Sequence, residues 1–143
     1  MDKTKSPMNQ SRHTVGKTLL IVDDDPVVLT LTADMLTRLG YIVIPADNPE
    51  SALEQIEKAE SSIHLLITDV IMPEMNGFEL YEKVQEQYPA LPVLFISGYT
   101  ANNVVSGKIK GKKLLFLEKP FSLARLDNAV RKSLRLENSD DKA

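Results

Sequence analysis

Five short apolar runs alternate with longer, helically periodic segments along the middle of the chain. The runs are rich in Val, Ile and Leu and bounded by turn residues. They predict buried strands at 18–22, 42–46, 65–68, 92–96 and 114–117. The segments between them carry apolar residues three or four positions apart, which predicts amphipathic helices. Repeated strand–helix alternation predicts an α/β domain with a doubly wound parallel sheet and helices on both faces.

The apolar positions of each predicted helix have helical spacing. They are Val28, Leu31, Met35 and Leu39 in the first helix, Ala52, Ile56 and Ala59 in the second, Phe78, Tyr81, Val84 and Tyr88 in the third, and Leu123, Leu126, Val130 and Leu134 in the last. The segment at 100–113 contains two Asn and two Gly, so a fourth helix there is expected to be short or mobile.

Composition narrows the class of protein. At 143 residues and 43% hydrophobic content the chain suits one globular domain, at 17–136, between a disordered leader or linker at 1–16 and a polar tail at 137–143. The formal charge of −3, with acids and bases interspersed, gives no footprint for nucleic acid. The absence of cysteine excludes disulfides and zinc–thiolate sites. With no signal peptide or membrane span in the sequence, we expect a cytoplasmic domain that does not contact the membrane.

Polar side chains follow most of the predicted strands. Ligands of an open parallel sheet bind outside the carboxyl ends of its strands, so these side chains are the candidates for chemistry. The strand ends carry Asp23, Asp24 and Asp25 after the first strand, Asp69 after the third, Ser97 and Gly98 after the fourth, and Glu118, Lys119 and Pro120 after the fifth. The second strand is followed by Asn48 and Pro49, which indicate only the start of a helix.

The acidic residues have competing interpretations. Asp25 precedes Pro26, which is typical of a helix N-cap. Asp23 and Asp24 are either solvated surface acids or ligands of a divalent cation that relieves their mutual repulsion. Asp69 taken alone is equally an ordinary turn residue. Because Asp69 is expected at the same sheet edge, an oxygen-ligand site is the better account, and few ligands with retained waters suit Mg²⁺ better than Ca²⁺.

The remaining candidate site residues indicate a function only when they are taken together. Ser97 alone could be a turn residue, and Lys119 alone is a surface lysine by default. A metal site, a further carboxylate, a hydroxyl and an ammonium together can stabilise a phosphoryl group. A Walker loop is absent, so no nucleotide cradle is predicted. In the loop after Asp69, Pro73 fixes φ and Gly77 is expected to supply a positive φ at the start of the next helix.

Four stretches, in order and spacing, resemble the receiver domain of two-component response regulators. They are LLIVDDDP, LLITDVIMPEMNGFEL, LFISGYT and FLEKPFS, and the resemblance covers 17–136. It implies a five-stranded flavodoxin-like sheet of order 2-1-3-4-5, with the switch point between the first and third strands. The resemblance also implies either a single-domain regulator or the receiver module of a hybrid sensor kinase.

Carried over by position, the resemblance implies a role for each site residue. Asp69 would accept the phosphoryl group, Asp24 would bind Mg²⁺ directly, Asp23 would act mainly through a metal-bound water, and Ile71 would offer its backbone carbonyl to the metal. Ser97 and Lys119 would contact phosphoryl oxygens, the Lys119–Pro120 bond would be cis, and Phe116 would be the aromatic switch residue.

The resemblance also implies partners and a mode of action. A histidine kinase or histidine phosphotransfer domain would supply the phosphoryl group, and a downstream protein would bind the face formed by the fourth helix, the fifth strand and the fifth helix. One rival interpretation is an aspartyl phosphohydrolase, but such enzymes commonly carry a second acid two residues on, where this chain has Ile71. The other rival is a degenerate receiver that only docks. We therefore expect a phosphoacceptor that assists its own phosphorylation and dephosphorylation, not a multiple-turnover enzyme.

Overall fold

The computed structural model describes residues 16–59, 62–98 and 114–142, with the side chains of the last helix described as far as residue 134. Within these residues five parallel strands form one sheet in the order β2-β1-β3-β4-β5. The strands are β1 (Thr18–Val22), β2 (Ile42–Ala46), β3 (Leu65–Asp69), β4 (Val93–Ser97) and β5 (Leu115–Glu118). The predicted fold class and strand order are confirmed, and each strand lies within one residue of its predicted bounds.

Four helices are described, and they cover both faces of the sheet. They are α1 (Pro26–Arg38), α2 (Pro49–Ala59), α3 (Gly77–Gln87) and α4 (Leu123–Lys142). One core lies between the sheet and α2 and α3, around residues such as Leu66, Ile56 and Phe78. The other lies between the sheet and α1 and α4, around residues such as Ile67, Leu36 and Val130. Residues 1–15 of the predicted leader at 1–16, the segment at 100–113 and Tyr99 lie outside the described residues.

The apolar positions that the spacing picks out in α1 face the core only in part. The helix buries Leu29, Thr32 and Leu36, and Met35 and Leu39 pack partly buried on the same core, whereas Leu31 leaves 59% of its surface exposed. Thr32 is only 2% exposed, but an apolar pattern does not register it because its side chain is polar. The helix therefore presents Val27 and Leu31 outward, one turn apart.

Side-chain caps fix the starts of the helices that follow the site strands. The carboxylate of Asp25 accepts from the backbone N–H groups of Val27 and Val28, which confirms it as the N-cap of α1. Asn76 caps α3 by accepting from the N–H of Glu79, whose carboxylate accepts in return from the N–H of Asn76. This capping box satisfies two backbone donors at the helix end. Both helices thus begin at fixed residues directly beside the carboxyl edge of the sheet.

The loop between β3 and α3 corrects the expectation for Gly77. Its φ is not positive, and the left-handed residue of this loop is Glu74, with φ of 70°. Glycine is required at 77 for another reason, because a Cβ there would collide with the backbone carbonyl oxygen of Asp69 and lie 3.0 Å from the Cα of Val70. The first turn of α3 therefore packs directly on the backbone at the end of β3.

No helix in the described ranges is both long enough and apolar enough to cross a membrane.

Candidate functional site

The carboxyl edge of the sheet gathers the predicted site residues, as the parallel topology requires. Asp69 is the last residue of β3 and pairs in register with Ile96 of β4, one residue before Ser97. Asp23 follows β1, the neighbour of β3 on its other side, and Lys119 follows β5. Because adjacent parallel strands end at the same edge, residues distant in sequence meet here.

The centre of the site is an ion pair between Asp69 and Lys119. The ammonium nitrogen of Lys119 lies 3.3 Å from Oδ1 of Asp69 and 3.7 Å from Oδ2 of Asp23, so it bridges the two carboxylates. Both acids are buried, with 7% of Asp69 and 3% of Asp23 exposed. Oδ1 of Asp69 also accepts from the backbone N–H of Val70 at 3.1 Å. One carboxylate oxygen of Asp69 is thus held by two donors.

Burial dominates the electrostatics of both acids. Desolvation, followed by repulsion from Asp23, raises the pKa of Asp69 from 3.8 to about 6, although Lys119 and the Val70 N–H act in the opposite direction. The pKa of Asp23 is also raised, mainly by burial, against the lowering effect of the Asp25 N–H and of Lys119. The lysine therefore compensates only part of the cost of holding two carboxylates in this edge.

Three carboxylates offer oxygen atoms at a spacing that fits a single cation. One oxygen from each of Asp23, Asp24 and Asp69 lies within 4.8 Å of the others, and Asp24 is exposed while the other two are buried. Carboxylate oxygens are the ligands that Mg²⁺ prefers, with the remaining positions filled by water. Burial first, and repulsion between the acids second, raise the pKa values of Asp23 and Asp69, and the charge of a divalent cation would offset both effects. The residues present therefore fit Mg²⁺.

Ser97 and Phe116 lie on the side of the site towards β5. Ser97 ends β4 and is 1% exposed, and its backbone carbonyl accepts from the N–H of Lys119 at 2.9 Å. The ring of Phe116 stacks on Phe95 with the centroids 5.1 Å apart, and Phe78 of α3 contacts both rings. The predicted switch residue is therefore part of an aromatic cluster that reaches from β5 to the helix that starts beside Asp69.

Two further predictions concern the edges of the site. The Lys119–Pro120 bond is cis, as predicted. Ile71, two residues after Asp69, leaves 54% of its surface exposed, so its side chain is not part of the core.

The sequence did not predict the residues that hydrogen-bond to the backbone and the carboxylate of Asp69. Thr68 is fully buried, and its hydroxyl donates to the backbone carbonyl of Asp69 at 2.9 Å. Val70 provides the N–H that contacts the Asp69 carboxylate. The available signal was the hydroxyl of Thr68 in an otherwise aliphatic buried strand, immediately before the candidate acid.

Comparison with known proteins identifies the family to which this fold and this acidic edge belong. The chain matches the response regulator receiver domain over residues 19–131. It is 35% identical over 118 residues to the response regulator receiver protein CpdR of Brucella abortus (strain 2308), covering 82% of this chain and 97% of that protein. It is 31% identical over 121 residues to the sensor kinase CckA of the same organism, covering 85% of this chain but only 13% of the kinase.

Solved structures agree with the sequence comparisons. The receiver domain of the hybrid histidine kinase CckA superposes with a TM-score of 0.69 at 34% identity, over 82% of this chain and 98% of that chain. A response regulator receiver protein from Sinorhizobium medicae WSM419 gives a TM-score of 0.73 at 28% identity, over 85% of this chain and 97% of that one. The chain therefore belongs to the response regulator receiver domain family of two-component systems. Domains of this family interact with histidine kinases and downstream effectors, and generally bind Mg²⁺ at their acidic pocket.

Proposed function

We propose that this domain is a phosphorylation-dependent switch that accepts a phosphoryl group on Asp69 from a phosphohistidine of a partner protein. The observation that carries the proposal is the placement of a buried Asp69 carboxylate 3.3 Å from the ammonium of Lys119, with Asp23 and Asp24 close enough to share a cation. Family membership is consistent with this role.

The reaction exchanges one bond to phosphorus for another. A carboxylate oxygen of Asp69 attacks the phosphorus atom, the bond from phosphorus to the histidine nitrogen breaks, and its electron pair stays on the imidazole. Asp69 must be ionised to attack, so its pKa of about 6 leaves most of it active at neutral pH. Because Lys119 and the Val70 N–H both contact Oδ1, the geometry supports Oδ2 as the attacking oxygen.

Charge compensation is the main contribution of the protein to this reaction, as is general in phosphoryl transfer. Lys119 is already aimed at the acceptor and can follow the charge that develops on a phosphoryl oxygen. Bound Mg²⁺, held by Asp23, Asp24, Asp69 and the carbonyl of Ile71, would supply further positive charge at the transferring group. The hydroxyl of Ser97 is the donor proposed for another phosphoryl oxygen.

The proposed response to phosphorylation is a shift between two pre-existing arrangements. Movement of the Ser97 hydroxyl towards the phosphoryl group would draw in the chain after β4, and Phe116 would adjust within the aromatic cluster. The face proposed for the downstream protein comprises β5, α4 and the segment at 100–113, of which the last lies outside the described residues.

Exposed apolar side chains beside the site support a docking role towards the phosphohistidine partner. Val27 and Leu31 are 65% and 59% exposed and lie one turn apart on α1, the helix that follows Asp23 and Asp24. Ile71, in the loop after β3, is 54% exposed. We assign Val27 and Leu31 to the contact with the partner that delivers the phosphoryl group. Leu31→Ser should slow transfer from a phosphorylated partner kinase while transfer from a small-molecule donor stays unchanged.

The proposal treats the domain as a stoichiometric acceptor and not as a multiple-turnover enzyme. The position two residues after Asp69 is Ile71, which cannot serve as a general acid or base. A phosphatase assay with a small phosphomonoester in excess should therefore show no sustained turnover. Steady release of phosphate over many turnovers would favour the hydrolase interpretation instead.

The decisive test is mass analysis after incubation with a small-molecule acyl phosphate and Mg²⁺. The wild-type protein should gain the mass of one phosphoryl group, and Asp69→Asn should gain none. Glu118→Gln, which changes an exposed acid at the end of β5, is the matched control and should be phosphorylated as wild type. Phosphorylation of the Asp69→Asn protein would refute the assignment.

A further inference from the structure

We propose that Thr68 and Gly77 are positioning residues that hold the peptide group joining Asp69 to Val70, and through it the acceptor carboxylate. The inference rests on the proposed function of Asp69 as the phosphoacceptor. It assigns a role to two residues that do not touch the phosphoryl group.

Thr68 and Gly77 lie on the side of the sheet opposite to the Asp69 carboxylate. Side chains alternate along a strand, so Thr68 lies on the face of Leu66 and Val70, and Asp69 on the face of Ile67. Leu66 and Val70 belong to the core beneath α2 and α3, and Ile67 belongs to the core beneath α1 and α4. Thr68 is therefore well placed to contact the backbone of Asp69 without occupying the space in front of its carboxylate.

One planar peptide group connects the buried hydroxyl to the reacting carboxylate. Its carbonyl, that of Asp69, accepts from the Thr68 hydroxyl at 2.9 Å. Its N–H, that of Val70, lies 3.1 Å from Oδ1 of Asp69 and 3.1 Å from the carbonyl of Ile96. Because the peptide is rigid, rotation at the carbonyl end also moves the N–H end. The hydroxyl thus fixes the orientation of a donor that contacts the acceptor.

Gly77 packs against the same peptide group from the side of α3, because a Cβ at this position would collide with the carbonyl oxygen of Asp69. Its N–H donates to the carbonyl of Val70, in the next peptide group along the chain, at 2.8 Å. The capping box at Asn76 fixes where the helix begins, so the helix cannot easily withdraw to make room. A side chain at 77 must therefore displace either the helix or the peptide that the Thr68 hydroxyl holds.

The test compares the rate of phosphorylation by a small-molecule acyl phosphate at saturating Mg²⁺ in four proteins. Thr68→Val keeps the shape of the side chain and removes its donor, and it should slow the reaction about tenfold, since a misplacement of about 1 Å can cost about 100-fold. Thr68→Ser retains the donor and should react within about twofold of wild type. Thr32→Val makes the same substitution at a buried threonine of α1 and should leave the rate unchanged. Gly77→Ala should slow the reaction at least as much as Thr68→Val.

A spectroscopic measurement separates positioning from loss of stability. In the amide spectrum of unphosphorylated protein the Val70 signal should move in Thr68→Val, should stay near its wild-type position in Thr68→Ser, and should be unaffected by Thr32→Val. If Gly77→Ala fails to fold, the Thr68 series decides the matter.

The outcomes distinguish this inference from the function on which it rests. A wild-type protein that gains no phosphoryl group would overturn the proposed function and this inference with it. A wild-type protein that is phosphorylated, together with a Thr68→Val protein that reacts at the same rate, would overturn the positioning role alone.

Discussion

Replacing Asp69 by Asn should stabilise the metal-free domain at neutral pH, although it removes the residue on which function depends. The carboxylate is buried next to Asp23, and Lys119 offsets only part of the cost, so the pKa of Asp69 is raised in the folded state. An amide of the same shape keeps an acceptor for the Val70 N–H and carries no charge. Stability and function are therefore opposed at this position, as is common at functional sites.

The size of the effect follows from linkage between protonation and folding. A pKa of 3.8 in the unfolded chain and about 6 in the folded protein means that the folded state binds more protons between these values. The stabilising contribution of protonated Asp69 is therefore complete below pH 3.8 and is lost as the pH rises through 6. At about 1.4 kcal/mol for each pH unit, the loss is about 3 kcal/mol, an upper limit because the neighbouring Asp23 titrates with it.

Urea unfolding from pH 4 to 8 in the presence of EDTA measures this directly. The free energy of unfolding of Asp69→Asn should be close to that of wild type near pH 4 and exceed it by up to about 3 kcal/mol at pH 7. Asp34→Asn is the control, because Asp34 forms an exposed pair with Arg38 on α1 that is worth at most about 0.5 kcal/mol. A difference between Asp69→Asn and wild type that does not change with pH, or has the opposite sign, would refute the reasoning.

Three further predictions concern the metal, the loop and the lifetime of the phosphorylated state. Asp24→Asn should weaken Mg²⁺ binding strongly without lowering the melting temperature in EDTA, since it removes a repulsive carboxylate; a clear fall in that temperature counts against it. Glu74→Gly should raise the free energy of unfolding by about 0.5–1 kcal/mol, because glycine adopts the left-handed φ of this position without strain. Glu74→Ala should not raise it, and a lower free energy of unfolding in Glu74→Gly would contradict this explanation. Ile71→Asn combined with Tyr99→Glu should speed loss of the phosphoryl group after donor removal, because the resemblance implies that the residues two after the acceptor and two after Ser97 lie beside the path of the attacking water, where an amide or an acid could orient it; equal decay rates would reject the idea.

The sheet was predictable because buried strands are short, continuous apolar runs in the sequence. The strand β3 is buried along its whole length, and its sequence is three aliphatic residues and a threonine followed by an acid. Parallel topology then brings that acid to the same edge as Asp23 and Lys119, so the site residues could be named before their distances were known.

The features that the sequence did not predict depend on tertiary contacts, which produce no periodic pattern or motif in the sequence. Thr32 is buried on α1 despite its hydroxyl, so an apolar pattern misses one of the three residues that this helix buries. Gly77 was expected for its φ, but the constraint is the nearness of the Asp69 backbone, which depends on how α3 docks on the sheet. The support given to Asp69 by Thr68 likewise depends on the docked structure and on no motif.

The aromatic cluster around Phe116 is a suitable place for a fluorescent probe of conformation. The sequence contains no tryptophan, so a single tryptophan introduced at Phe116 would be the sole indole in the chain. Phe116 is partly buried and stacks on Phe95 against the same helix that packs on the acceptor strand. Emission from that indole would therefore follow the packing of the ring in real time, without a label and without a partner protein.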